Sequence, residues 1–202
     1  MQLCTTTGSI FAMKANPEYN DAIKEMTCLA IVALIASIII EVVILCWRNC
    51  ARTVPANYFL LLVFTVCQTT FFSVVAAHYS TQSCITAASM TAVITVGLTI
   101  YACITKTDFT VCGSLFFLMS LSTICFMVVS TYLTFTAWWH PFLCSILVVV
   151  YGLYLVYDTQ LIASGKSHSL SYDDYIIGTL LLYVDVLMVF LEFLKLFGGK
   201  SN

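Results

Sequence analysis

Six apolar runs dominate this chain, and they determine the environment in which it can fold. A helix that crosses the hydrocarbon core of a bilayer needs about 20 mostly apolar residues. The runs that reach this length lie at residues 27–47, 57–77, 85–104, 112–132, 139–163 and 175–197. The pattern therefore predicts six full transmembrane helices.

The scarcity of charged residues supports the same interpretation. Only 9% of the 202 residues are charged and 61% are hydrophobic, whereas a soluble domain carries about 25% charged residues to wet its surface. Lipid must therefore solvate most of this chain, which leaves no room for a conventional soluble catalytic domain. The net charge of −2 and the lack of a basic stripe exclude nucleic acid as an expected partner.

The polar connections between the runs are short, so we expect neighbouring helices to run antiparallel in a compact bundle. Residues 1–13 are apolar but reach only about half-way across a bilayer, and we interpret them as the latter half of a helix. The predicted fold is an all-α integral membrane protein, a single domain over residues 1–202. It has six full transmembrane helices and an N-terminal half-helix.

Positive charges in short connections predict the orientation of such a bundle. The connections at 48–56, 105–111 and 164–174 lie on one face and hold Arg48, Arg52, Lys106 and Lys166. The two complete connections on the other face hold no Lys or Arg. We therefore expect the cation-bearing face to be cytosolic. For the last helix we expect Ser171 as N-cap, with Asp173 and Asp174 in its first turn, and an end at Gly198–Gly199.

The ten cysteines lie mostly inside the apolar runs and form no CxxC pair. We interpret them as reduced, small hydrophobic side chains rather than as metal ligands or disulfides. No resident cofactor is expected.

Four carboxylates lie inside the predicted spans, where charge is costly and usually functional: Glu41, Asp158, Asp185 and Glu192. Asp158 is near the end of its span, and Asp185 is about ten residues, or 15 Å, into the next one. Because these two helices are antiparallel, both aspartates fall in the same half of the membrane and are expected to meet.

Two carboxylates that meet in a low dielectric cannot both ionise cheaply, so they share a proton and titrate as a unit. Such a pair can sense pH, and its anionic form can contact a hard cation such as Ca²⁺. The alternative is a structural pair satisfied by Tyr, Thr or Arg donors. Glu41 could pair with an arginine or line a cavity, and Glu192 with Lys195 fits a local i,i+3 pair near an interface.

Three segments of the C-terminal third carry a recognisable pattern: Leu153–Leu161 (LYLVYDTQL), His168–Tyr175 (HSLSYDDY) and Leu182–Val186 (LYVDV). They closely resemble the lifeguard branch of the transmembrane Bax inhibitor motif family. Two upstream segments resemble helix connections of the same branch: Arg52–Tyr58 (RTVPANY), followed by Phe64-Thr65, and Lys106–Phe109 (KTDF).

This resemblance implies a seven-helix protein of intracellular membranes, the endoplasmic reticulum or Golgi, that lowers releasable Ca²⁺ and opposes cell death. It implies a pH-sensitive leak in which Asp158 and Asp185 are the sensor and contact Ca²⁺, the permeant ion, transiently. An arginine latches onto that pair, and both Arg48 and Arg52 fit. The family usually has a glutamate where this chain has Gln68, a departure expected to weaken cation attraction or alter the gate.

The sequence is compatible with three functions. In the first, protonation or latch release at the aspartate pair opens a cytosolic gate for Ca²⁺. In the second, the chain is a non-conducting regulator that binds cell-death proteins or Ca²⁺ channels in the bilayer. The third, an intramembrane aspartyl protease, is disfavoured because Leu182–Asp185 (LYVD) lacks the Gly-x-Gly-Asp pattern of those enzymes and their Pro-Ala-Leu motif is missing.

Overall fold

A computed structural model describes residues 1–47, 52–112, 139–163 and 174–198, together with Leu115, Leu118, Met119 and Ser122. Helices form the secondary structure of these residues. In chain order they are α1 (Gln2–Ala15), α2 (Pro17–Lys24), α3 (Thr27–Cys46), α4 (Ala56–Ala77), α5 (Thr81–Ile104), a 3₁₀ turn (Phe109–Cys112), α6 (Trp139–Ile162) and α7 (Tyr175–Phe197).

Helices α3 to α7 confirm five of the six predicted transmembrane runs. Each of them is long and apolar enough to cross a membrane. Their bounds differ most from the prediction at the start of α5, which begins at Thr81 rather than at residue 85. The run predicted at 112–132 falls mostly outside the described residues. The chain is thus a multi-pass membrane protein whose described residues form helices, as its hydropathy predicts.

Apolar side chains cover the outside of these spans. On α3, for example, Val32 is 62% exposed and Ile39 is 58% exposed, which is stable only where lipid replaces water. In contrast, α7 is the most buried of the five spans. Carboxylates on α7 are therefore shielded by protein rather than facing lipid.

Helix α2 has no counterpart among the predicted apolar runs. This helix is short and polar, so a search for apolar runs passes over it. Pro17 opens it at a position where proline fits, because the first turn needs no backbone N–H partner. Asp21 and Lys24 form an ion pair of 3.3 Å one turn apart on its surface.

The chain separates into two compact units. The first comprises Met1–Thr86, Ser171–Tyr183 and Gly198–Asn202, and the second comprises Ala87–Leu170 and Val184–Phe197.

A row of uncharged polar side chains joins α1 to α4 in the first unit. The contacts are Gln2 Nε2 to Thr65 Oγ1 (2.7 Å), Thr6 Oγ1 to Thr69 Oγ1 (2.9 Å) and Ser9 Oγ to Ser73 Oγ (3.2 Å). Both residue numbers rise together, so α1 and α4 run parallel. The Thr6 hydroxyl also bonds the Tyr183 hydroxyl at 2.7 Å. We call these residues the hydroxyl seam.

Candidate functional site

The predicted aspartate pair comes together in the second unit, between α6 and α7. The side chains of Asp158 and Asp185 lie within hydrogen-bonding range of each other, and each residue is 7% exposed. An ionised carboxylate only accepts hydrogen bonds, so one member of a bonded carboxyl pair must carry a proton. Two carboxyl groups this close together and this little exposed favour a shared proton over two separate charges.

Helical spacing places the aspartate pair in line with three further residues of α6 and α7. Cys144, Tyr151 and Asp158 recur every seven residues, and so do Asp185 and Glu192. Seven residues are almost two full turns, so each set follows one face of its helix. Tyr151 lies close enough to Asp185 and Glu192 to interact electrostatically with both. We call these five residues the acidic seam.

Glu192 occupies the far end of the acidic seam. Its Oε1 lies 2.7 Å from Lys195 Nζ, which confirms the local pair predicted from the sequence. However, Glu192 is only 1% exposed, so protein rather than solvent surrounds its carboxylate. Cys144 of α6 lies within hydrogen-bonding range of the same carboxyl group.

Gln160, two residues after Asp158, anchors the connection that follows α5. Its side chain is fully buried, with no exposed area. Its Oε1 accepts a hydrogen bond from the backbone N–H of Phe109 at 2.8 Å, and its Nε2 donates to the carbonyl oxygens of Ala102 and Thr107 at 3.2 and 3.0 Å. This amide therefore fixes the end of α6 against the Lys106–Asp108 loop.

In the first unit, Arg52 forms a two-point ion pair with Asp174. Its Nε and Nη2 atoms donate to the two carboxylate oxygens at 2.9 and 3.0 Å. Asp174 is 2% exposed and occupies the N-cap position of α7, which begins at Tyr175. The expectation that Asp174 lies inside the first turn is wrong. Its carboxylate is held by Arg52 and makes no side-chain cap bond.

The remaining predicted positions are distributed as follows. Arg48, the other latch candidate, and Ser171, the predicted N-cap, lie outside the described residues. Glu41 is half-buried on α3. Gln68 of α4 is 4% exposed, and its Oε1 has no hydrogen-bond partner among the described residues.

Three of these contacts were not predicted from the sequence. The role of Gln160, the Arg52–Asp174 pair and the approach of Cys144 to Glu192 all join residues distant along the chain. A signal did exist for Cys144, because it stands 14 residues before Asp158 and therefore shares its helical face.

The aspartate pair offers two carboxyl groups to a cation. In the part of the chain that the structure describes, no three His, Cys, Asp or Glu side chains converge as metal ligands would. Ca²⁺ takes about six to eight oxygen ligands, so a cation beside two carboxyl groups would keep most of its water.

Comparison with known proteins places the chain in a family. A family model described as "Inhibitor of apoptosis-promoting Bax1" matches residues 1–202. The chain belongs to this family. The description of the family refers to inhibition of an apoptosis-promoting protein.

Individual relatives agree with this assignment and with the lifeguard resemblance. The chain is 29% identical to human Protein lifeguard 3 over 167 residues, which are 81% of this chain and 54% of that protein. It is 29% identical to mouse Protein lifeguard 3 over 159 residues, 77% of this chain and 52% of the relative. With mouse Protein lifeguard 4 it shares 28% identity over 144 residues, 71% and 58% of the two chains. The chain thus spans about half the length of these curated relatives.

Proposed function

We propose that this protein is a pH-sensitive Ca²⁺ leak of an intracellular membrane, the endoplasmic reticulum or Golgi, and that it opposes apoptosis by lowering the Ca²⁺ available for release. The observation that carries the proposal is the approach of the buried side chains of Asp158 and Asp185 to within hydrogen-bonding range of each other. A shared proton in a low dielectric makes the attraction between two helices depend on pH.

The hydrogen-bonded pair is the closed form. Loss of its proton leaves two like charges at close range in a poorly screening interior, where their repulsion far exceeds its value in water. Separation of α6 from α7 at this point relieves the repulsion and exposes two carboxylates to a cation. Ca²⁺ then moves down its gradient, its charge replacing the lost proton.

The sequence-based expectation was that protonation or latch release at the pair opens the gate, whereas in this proposal loss of the proton opens it. That expectation relied on an arginine that holds the ionised pair. Arg52 has its guanidinium on Asp174 at 2.9 and 3.0 Å, and the shared proton by itself supplies the cohesion between Asp158 and Asp185. The latch function of Arg48 and Arg52 is therefore not required for the proposed gate.

The test is Ca²⁺ flux in proteoliposomes over a pH series. One shared proton changes the flux by at most about tenfold per pH unit. We expect Asp185→Asn to remove this dependence, because an amide keeps the hydrogen bond but cannot lose a proton. The matched control is Glu25→Gln, which changes an exposed carboxylate directly after α2. Its flux should depend on pH as that of the unmodified protein does.

Two outcomes would contradict the proposal. Flux through Asp185→Asn that keeps its full pH dependence would show that the pair is not the sensor. A protein that reconstitutes in folded form but passes no Ca²⁺ at any pH would favour the non-conducting regulator, acting on cell-death proteins or Ca²⁺ channels.

A further inference from the structure

The acidic seam continues beyond the aspartate pair to a second carboxylate. Glu192 follows Asp185 by seven residues, about 10 Å along α7. On α6, Cys144 stands opposite Glu192 in the same way that Asp158 stands opposite Asp185. Residue numbers fall along one helix as they rise along the other, so α6 and α7 are antiparallel and the two pairs lie at different depths. Tyr151 lies between them and interacts with both Asp185 and Glu192.

Glu192 is an unusual place for a carboxylate. The residue is 1% exposed, and Oε1 is held by Lys195 at 2.7 Å. Its Oε2 has no hydrogen-bond partner among the described residues. A buried acceptor without a donor is costly, and a charged one more so. Oε2 can therefore still accept a bond from a ligand.

Lys195 has the properties of a removable partner. Its side chain is 26% exposed while that of Glu192 is 1% exposed, so the ammonium group reaches the carboxylate from the edge of the protein. A lysine is a single point charge on four flexible methylene groups and can turn outward to solvent or the lipid headgroups. The ammonium thus occupies the position at which another cation would neutralise Glu192.

We propose that Glu192 is a second cation-binding position on the path that starts at Asp158 and Asp185, and that Lys195 is its tethered competitor. The ligand is a hard divalent cation, bound by the Glu192 carboxylate with the Tyr151 hydroxyl nearby and water completing its shell. In the resting protein Lys195 fills the position, and an arriving cation displaces it. This inference rests on the proposed leak for its physiological role, but the binding position can be tested separately.

The binding test uses Tb³⁺, a luminescent substitute for Ca²⁺, titrated into the full chain in detergent micelles. Tyrosine excitation sensitises Tb³⁺ bound nearby, and Tyr151 provides such a donor. We expect Lys195→Met to tighten Tb³⁺ binding about tenfold, because it removes a charge-assisted contact from the carboxylate. Lys195→Arg, which keeps a cation beside Glu192, should bind Tb³⁺ much as the unmodified protein does.

A double variant makes the assignment specific. Glu192→Gln combined with Lys195→Met should lose the whole gain in Tb³⁺ affinity, since the competitor matters only if the carboxylate is the site. A gain that survives Glu192→Gln would overturn the proposal, as would unchanged Tb³⁺ affinity in a folded Lys195→Met protein. Helix content measured by circular dichroism identifies folded variants.

Flux measurements separate this inference from the leak itself. In proteoliposomes, Lys195→Met should raise Ca²⁺ flux and Glu192→Gln should lower it, with the pH response through Asp185 retained in both. Loss of pH dependence in Asp185→Asn with no effect of Glu192→Gln on binding or flux would leave the leak standing and refute the second position. Altered Tb³⁺ binding at Glu192 without any Ca²⁺ flux would refute the leak and keep the binding position.

Discussion

The two units of this protein differ in the kind of polar side chain that they place in an apolar interior. The hydroxyl seam of the first unit is built from neutral side chains that bond one another, such as Thr6 with Thr69 and Tyr183. The acidic seam of the second unit is built from groups that can gain or lose charge, with Oε2 of Glu192 lacking a partner among the described residues. Neutral hydrogen bonds hold helices together at any pH. Carboxylates at the same kind of interface make the attraction between two helices depend on pH, as the proposed gate requires.

The largest expected effect on stability concerns Gln160, a buried neutral residue of the second unit. Gln160→Leu removes three hydrogen bonds to backbone groups and should lower the free energy of unfolding by about 3 kcal/mol. The measurement is unfolding in mixed micelles with increasing denaturing detergent. Gln82→Leu, an exposed glutamine on α5, is the control and should have little effect. A small effect of Gln160→Leu would mean that the loop after α5 does not depend on this amide.

The second effect concerns the ion pair of the first unit, between Arg52 and the buried Asp174. Arg52→Gln leaves the buried Asp174 carboxylate without its two-point partner and should cost about 2 kcal/mol of unfolding free energy. Arg52→Lys should recover only part of this, because an ammonium group cannot match the bidentate geometry. Equal stability of Arg52→Gln and the unmodified protein in the same micelle assay would show that the pair adds nothing to the fold.

The smallest effect tests the hydroxyl seam itself. Thr6→Val keeps the shape of the side chain but removes its bonds to Thr69 and Tyr183, at a cost of about 1 kcal/mol in unfolding free energy, since hydrogen bonds between membrane helices are weak. The pH response of Ca²⁺ flux should stay unchanged in this variant. If Thr6→Val altered that response as strongly as Asp185→Asn, the distinction between the two seams would fail.

Hydropathy alone predicted most of the fold. The runs at 27–47, 57–77 and 175–197 correspond to α3, α4 and α7 within one residue at either end. The prediction works because each spanning helix must satisfy its backbone internally and face lipid with apolar side chains, a requirement on every residue of the run. The polar α2 was missed for the same reason, since nothing in its composition marks it as membrane-spanning.

Part of the site was also predictable. The carboxylates Asp158, Asp185 and Glu192 stand out because charge is rare inside apolar runs, and antiparallel neighbours place the first two at one depth. The roles of these residues in sensing and conduction stay predictions until flux is measured.

The sequence by itself determined the membrane environment and, within a few residues, the bounds of the spanning helices that can be compared, because both depend on position along the chain. The tertiary structure decided the partners. Arg52 binds Asp174, and Gln160 binds the loop after α5. Lys195 binds Glu192, which also lies beside Cys144. Partner choice depends on how each helix is rotated and shifted against its neighbours, and that arrangement is set by side-chain packing over the whole interface rather than by local hydropathy.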